Sequence, residues 1–381
     1  MATIQRFGRV EGIYFGSILL LAFVGFLSPA SYNALPAGPI LEGVMAVCAL
    51  LVMRVPKREA MPFLAVSAAY VTISLSLMVF YKPSNYLDFA QAYKAFIYII
   101  PLCFFYRRDL FDRRQALFVL KLLMVAFLLK YSYSIALNVT PRMGTRPGLF
   151  VENNFELIFL LLYFFILRED FGKRLTAWFA VLSVIVLISG SRSSALALIV
   201  VFCGIYLRNL SLKTVFYLLG LAILGASAAA LFLSRGYAAG GIESIDRFRF
   251  MMIFLYEIRN WSVFDFLFGS FPITALSNES CKALSFYEGL FSYSEDGSCY
   301  SVVLHSYFFR VIFDHGVFGL ALLFYFLAFT LKRSGYARID VAVIIGVLAA
   351  SALSVSAMNS IFATLALALA FGIKRLDSLS T

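Results

Sequence analysis

Charge is scarce in this chain, and histidine scarcer still. Only 14% of its 381 residues are charged, against 62% hydrophobic and 17% aromatic. That leaves too little polar side chain to cover a soluble globule of this size, so a polytopic membrane protein is expected. His305 and His315 are the only histidines. No outer His, Cys and carboxylate cluster at ligand spacing stands near them, and at helical rise the two would lie about 15 Å apart, so no metal and no other cofactor is expected. The chain shows no repeat of fixed period, no low-complexity tract and no soluble domain besides one long loop. The lack of a repeat argues against the inverted halves of many transporters. A cleavable leader is also lacking, because the first apolar run meets a Ser28-Pro29 turn with no small-x-small site. That run is expected to stay as an anchor.

What the chain has is long, unalternated apolar runs. A span needs about 20 apolar residues for a hydrocarbon core of about 30 Å, and only helices or closed barrels satisfy every backbone amide there. Runs without alternation read as helices. The expected spans are Ile13 to Leu27, Ile40 to Met53, Met61 to Phe80, Phe89 to Tyr106, Ala116 to Leu137, Phe155 to Leu167, Thr176 to Ser189, Ser193 to Leu207, Thr214 to Leu233, Tyr307 to Leu331, Val341 to Val355 and Ser360 to Ile373. They make one all-α transmembrane domain of about twelve helices over residues 1–381. Lys94, Lys121 and Lys130 fall inside spans. Alternate loops hold Arg6 and Arg9, then Arg54, Lys57 and Arg58, then Arg107, Arg108, Arg113 and Arg114. The series continues with Arg168, Lys173 and Arg174, with Arg208 and Lys213, with Lys332, Arg333 and Arg338, and with Lys374 and Arg375. The positive-inside rule makes these loops cytoplasmic and puts both termini inside. The net charge of +11 is then mostly topogenic and faces anionic lipid heads. No nucleic-acid partner is implied.

The opposite, outer side carries cations that topology does not require. The loop from Ser234 to Ser301 holds Arg235, Arg247, Arg249, Arg259 and Lys282, with Cys281 and Cys299 placed to pair in an oxidising compartment. Cys48, Cys103 and Cys203 lie in spans as packing residues. Four outer segments are dense in polar groups. Pro141 to Asn154 presents Arg142, Arg146, Glu152 and Asn154 on a Gly- and Pro-punctuated turn, and reads either as a phosphate-binding turn or as a polar hairpin. Ser189-Gly-Ser-Arg192-Ser-Ser194 puts a guanidinium at the start of a helix, where it suits an anion or snorkels to the interface. Glu243 to Ile258 reads as an amphipathic helix, with Glu243, Asp246, Arg247 and Glu257 on one face and Phe250, Met251, Ile253, Phe254 and Leu255 elsewhere. In it Arg247 is placed to pair with Glu243, and Arg249 is not. Lastly, Leu304 to Gly319 opens with His305, Ser306 and Tyr307 and includes Arg310; a helix there aligns His305 with Phe308, Phe309 and Ile312, the pattern of a packed aromatic face.

Arg146-Pro-Gly-Leu-Phe-Val-Glu-Asn-Asn154, Ser189-Gly-Ser-Arg-Ser193 between adjacent spans, a long outer loop, and His305-Ser-Tyr followed by Gly316 and Gly319 together resemble the O-antigen ligase and polymerase superfamily. The likeness covers about Arg142 to Gly319; the first four spans match only as generic helices. It implies a GT-C-like, metal-independent, inverting glycosyltransferase of the bacterial inner membrane, with its active site in the periplasm and an undecaprenyl-pyrophosphate-linked oligosaccharide as donor and as acceptor. A chain-length regulator protein is a further partner it suggests. Arg192 and Arg247, with Arg249, Arg146 and Arg142, would hold the pyrophosphate, and His305 would be the base. Arg310, Asn154, Glu152, Ser306 and Tyr307 would make weaker substrate contacts. Ligases of this kind usually follow the histidine with asparagine, so Ser306 tilts the reading toward a polymerase. A ligase that transfers to lipid A core, and a transporter of lipid-linked saccharide, are the alternatives.

Overall fold

The computed structural model describes residues 2–53, 56–140, 146–208, 216, 218–220, 222–227, 246–270 and 273–374. Arg142, Arg235, Glu243 and half of the expected span Thr214 to Leu233 lie outside them. Among the described residues there is no strand, only an isolated bridge between Phe111 and Ile373. The helices are α1 (Ala2–Phe26), α2 (Ala37–Leu51), α3 (Met61–Tyr81), α4 (Tyr86–Phe105), α5 (Arg113–Ala136), α6 (Asn153–Ile166), α7 (Leu175–Ile188) and α8 (Arg192–Tyr206). After them come α9 (Asp246–Glu257), α10 (Val263–Phe268), α11 (Asn278–Ala283), α12 (Tyr307–Arg333), α13 (Arg338–Ala352) and α14 (Ile361–Gly372).

Each expected span other than Thr214 to Leu233 falls on one of these helices. Six helical stretches, Gly8–Phe26, Met61–Tyr81, Tyr86–Phe105, Arg113–Ala136, Arg168–Ile188 and Tyr307–Arg333, are long and apolar enough to cross a membrane. The others are short: α6 has 14 residues and α14 has 12, about 21 and 18 Å at 1.5 Å per residue. These two form the centre. Every side chain of both is buried except the half-buried Phe155, as expected of helices apolar all round. Ends are fixed by side chains that satisfy orphan amides: Asn85 accepts from Leu87 N, Asp112 from Arg114 and Gln115 N, Ser191 from Ser194 N, and Ser360 from Phe362 N.

The lysines inside spans are all engaged. Lys130 is fully buried and donates to the carbonyls of Gly25 (2.8 Å), Ser28 and Ser31, at the C-terminal end of α1, where the helix dipole favours a cation. Lys94 pairs with Glu42, and Lys121 lies 5.8 Å from the Phe171 ring and 5.9 Å from that of Trp178.

Successive helices run up and down, so the turns gather at two ends. One end, called the rim below, joins Leu149 to Asn33 and Asn153 to Ser189. The opposite end joins Arg107 and Leu110 to the last carbonyls of α14, and Arg168 and Arg208 to Asp340. The segment from Asp246 to Leu304 folds over the rim around its own apolar core of Phe250, Ile253, Phe254, Leu276, Leu284, Val303, Leu304 and Phe313.

Candidate functional site

The rim is built outward from Glu156, a fully buried carboxylate one turn into α6. Its oxygens accept from the amides of Leu149 (2.9 Å), Phe150 (2.6 Å) and Val151 (3.1 Å) and from the Tyr131 hydroxyl (2.6 Å). Three amides on one carboxylate fix the turn that ends in Glu152. Gly148 lets this turn lie close: a Cβ there would stand 2.3 Å from the Tyr32 ring and 2.4 Å from Val151 O. Arg146 then pairs with Glu152 at 3.0 Å, and Asn154 Nδ2 donates to the same carboxylate at 3.0 Å. Asn154 Oδ1 accepts from Ser191 Oγ at 2.6 Å. The two polar segments on either side of α6 and α7 are therefore one hydrogen-bonded unit.

Arg192, the first residue of α8, stands beside this unit. Its guanidinium is half-buried and close enough to that of Arg146 to feel its charge. α8 and α13 pack antiparallel, with Gly204 against Val343 and Gly346 against Val200, a register that places Arg192 level with Ser354. Arg247, on α9, donates to Ser354 Oγ. Arg146 and Arg192 thus stand side by side with Glu152 paired to the first, and Arg247 reaches the end of α13 that lies level with Arg192. Arg249 is exposed on α9. Arg142 lies outside the described residues, as does Glu243, the partner expected for Arg247; α9 is described from Asp246 onward.

His305 is not in a helix. α12 starts at Tyr307 with Ser306 as its N-cap, so the expected alignment of His305 with Phe308, Phe309 and Ile312 does not arise. The ring instead packs edge-on against Phe250 (5.4 Å) and Tyr287 (5.6 Å). Phe250 lies one turn beyond Arg247 on α9, which brings His305 to the arginine rim. Ser306 and Tyr307 are buried. Arg310 is 2% exposed and donates to Ser356 Oγ (3.1 Å) and Gln91 O, with Asp314 3.9 Å away. Those contacts tie α12 to α4 and to the turn before α14. His315 is enclosed: Nε2 lies 3.0 Å from Ala92 O, Nδ1 is 2.9 Å from the Tyr70 hydroxyl, and Tyr93 and Phe96 flank the ring. A carbonyl only accepts, so Nε2 carries the proton and Nδ1 receives that of Tyr70. Immediately after it, Gly316 breaks α12 at φ 66°, and a Cβ there would stand 2.3 Å from Leu267 O. The break seats the end of α10.

Cys281 and Cys299 are joined by a disulfide. The folded segment is further tied down by Ser292 Oγ to Asp88 (2.6 Å), by Ser270 N to Phe313 O (2.7 Å) and by Lys82 to Thr274. Burial pushes the Lys82 ammonium below its ordinary value. Trp261 packs on the exposed Phe266 and the buried Phe313, and the half-buried Phe308 stacks on Phe324. No described group of His, Cys, Asp and Glu has the arrangement to hold a metal ion. Neither of two cavities, of about 710 and 430 Å³, is lined by the rim arginines or His305.

Glu156, Ser354 and Tyr287 were not singled out from the sequence. Glu156 carried a signal, since a carboxylate inside the run Phe155 to Leu162 demands a partner; the other two are a plain serine and one of many aromatics. No protein family, no curated protein and no solved structure matches this chain.

Proposed function

We propose that this protein is a membrane-embedded, metal-independent glycosyltransferase that joins undecaprenyl-pyrophosphate-linked oligosaccharide repeat units. The observation that carries this reading is that Arg192 lies beside Arg146 and level with Ser354, to which Arg247 donates, while His305 packs on Phe250, one helical turn from Arg247. With Glu152 as counter-ion, the three guanidinia leave an excess of two positive charges, suited to a pyrophosphate diester. In the reaction, the acceptor hydroxyl oxygen attacks the anomeric carbon from the face opposite the pyrophosphate. The glycosidic bond forms, the bond to the pyrophosphate oxygen breaks, and the configuration inverts. His305 takes the hydroxyl proton as base. Arg192 and Arg247 face the oxygen on which negative charge grows, so their attraction is larger in the transition state than in the ground state. The polyprenyl tail stays in the bilayer, which fits an open rim better than an enclosed cavity.

Under this reading the chain crosses the bacterial inner membrane about twelve times, with the short helices included, both termini in the cytoplasm and the rim in the periplasm. Ser306 after the histidine favours polymerase over ligase. The test supplies purified protein with a defined undecaprenyl-pyrophosphate repeat unit, with and without lipid A core. A ladder of products supports the polymerase, a single transfer to core makes it a ligase, and no transfer overturns the reading. In the variant His305→Ala, donor binding should persist while transfer falls by about 10² to 10⁴. Transfer at the parent rate, in folded protein and with chelator present, removes His305 as base.

A further inference from the structure

The cavity of about 710 Å³ opens at the end of the bundle opposite the rim, where the turns after α4 and α12 meet the end of α14. Its volume is in the range of small-ligand sites. The cations on its wall are Lys57, Arg107, Arg113, Arg168 and Lys374. Of the three carboxylates on that wall, Asp340 and Glu169 are answered already, while Asp109 makes no ion pair with a described residue. Asp340 pairs with Arg168 at 2.9 Å and with Arg208, and Glu169 lies 3.1 Å from Arg168. Arg113 is paired at 2.6 Å with Asp170, which lies outside the wall. The remaining cations are weakly matched: Arg107 reaches Glu59 at 3.4 Å, Lys374 reaches Asp112 at 4.0 Å, and Lys57 makes no ion pair with a described residue.

The backbone of the same wall is strained. Arg107 (φ 55°) and Asp109 (φ 48°) are two of the four described non-glycine residues in the left-handed region. They are held there because Arg107 N donates to Phe371 O (3.0 Å) and Leu110 N to Gly372 O (2.6 Å). An arginine gains nothing locally from this conformation, which glycine adopts freely. Strain retained at a cation beside a cavity points to a ligand for that cation.

We propose that this cavity binds a phosphate group, carried by an anionic phospholipid headgroup or by a soluble phosphate ester, through Lys57, Arg107 and Lys374. The site is separate from the rim and does not depend on the glycosyl-transfer reading.

The test uses the full chain in nanodiscs. Phosphatidylglycerol is compared with phosphatidylcholine as the lipid probe, and AMP and inorganic pyrophosphate serve as soluble probes, with binding read by the shift in apparent Tm. A shift with phosphatidylglycerol alone identifies a headgroup site, and one with AMP or pyrophosphate a soluble ligand. Lys57→Gln should weaken the effective probe by about tenfold. Arg107→Gly should weaken it at least as much, while its Tm without probe equals or exceeds that of the parent, because glycine relieves the strain. A purely structural arginine would instead lower that Tm. Absence of any shift with all probes, or unchanged binding in both variants, overturns the proposal.

Discussion

Replacing Glu156 by leucine keeps the bulk of the side chain within α6 but removes the acceptor on which the Arg146 turn is hung. The buried amides of Leu149 and Phe150, the partly buried amide of Val151 and the Tyr131 hydroxyl point at this carboxylate. A buried donor left unsatisfied costs about 1–3 kcal/mol, so three amides bound the loss at about 3–9 kcal/mol. Leucine recovers part of that, because it has no charge to desolvate. The net remains several kcal/mol, comparable with the whole stability of an ordinary domain, about 5–15 kcal/mol. Glu156→Gln is the informative control. Its carbonyl oxygen can take the place of Oε2, which faces all three amides, while its amide donates to the Tyr131 oxygen. The charge assistance and the bond from Leu149 N to the Oε1 position, where the new NH2 cannot accept, are lost, about 1–3 kcal/mol. Tyr131→Phe removes one bond, about 1 kcal/mol. Apparent Tm in a single detergent, with limited proteolysis between residues 146 and 152, should rank leucine far below glutamine and glutamine near phenylalanine. A leucine variant within about 1 kcal/mol of the parent, or a glutamine variant as damaged as leucine, would refute the account of how the turn is held.

Three further outcomes follow. Arg192→Lys keeps the charge but loses the planar fork, so transfer should fall steeply in a protein that still inserts and folds; near-parent transfer would make Arg192 an interfacial residue. On intact cells, an impermeant thiol reagent should label Cys281 and Cys299 only after reduction. Labelling confined to lysed cells would reverse the orientation, and replacing both by serine should loosen the segment by about 2–4 kcal/mol. Gly316→Ala combines a left-handed φ with a Cβ 2.3 Å from Leu267 O and should lower Tm by more than the roughly 1 kcal/mol of backbone preference alone; an unchanged Tm would show that α10 does not dock against the break.

The helices were legible because burial in lipid imposes one signal over many residues: Met61–Tyr81 and Arg113–Ala136 could hardly be anything else. Short central helices such as α6 were legible as helices, but their length no longer measured a bilayer. What the sequence concealed were pairings across distance. Lys130 reads as a charge stranded in a span until the end of α1 is folded against it. The expected pairing of Arg247 with Glu243 lies outside the described residues, and its bond to Ser354, over 100 residues away, has no local signal. Helical periodicity carried past its start put His305 on a face of α12, although Ser306 is of a residue type that favours caps. The polar density around Arg146 and Arg192 marked both segments in the sequence, and the structure joins them through Asn154 and Ser191.

The charges of the rim also suggest how binding and release are balanced in the proposed reaction. Arg146 and Arg192 repel one another, and Glu152 holds Arg146 at 3.0 Å. A rim of bare guanidinia would grip substrate and pyrophosphate product alike, and uniform binding of that kind lowers KM without raising kcat. An internal carboxylate changes the comparison. It competes with the incoming pyrophosphate in the ground state, when the diester's charge is spread over two phosphates. It loses that competition as charge concentrates on the departing oxygen. Glu152 is itself fixed by Asn154, and Asn154 by Ser191 at the cap of α8. The counter-ion is therefore set by the same turn that Glu156 anchors, and the buried carboxylate of α6 acts on the rim through position alone.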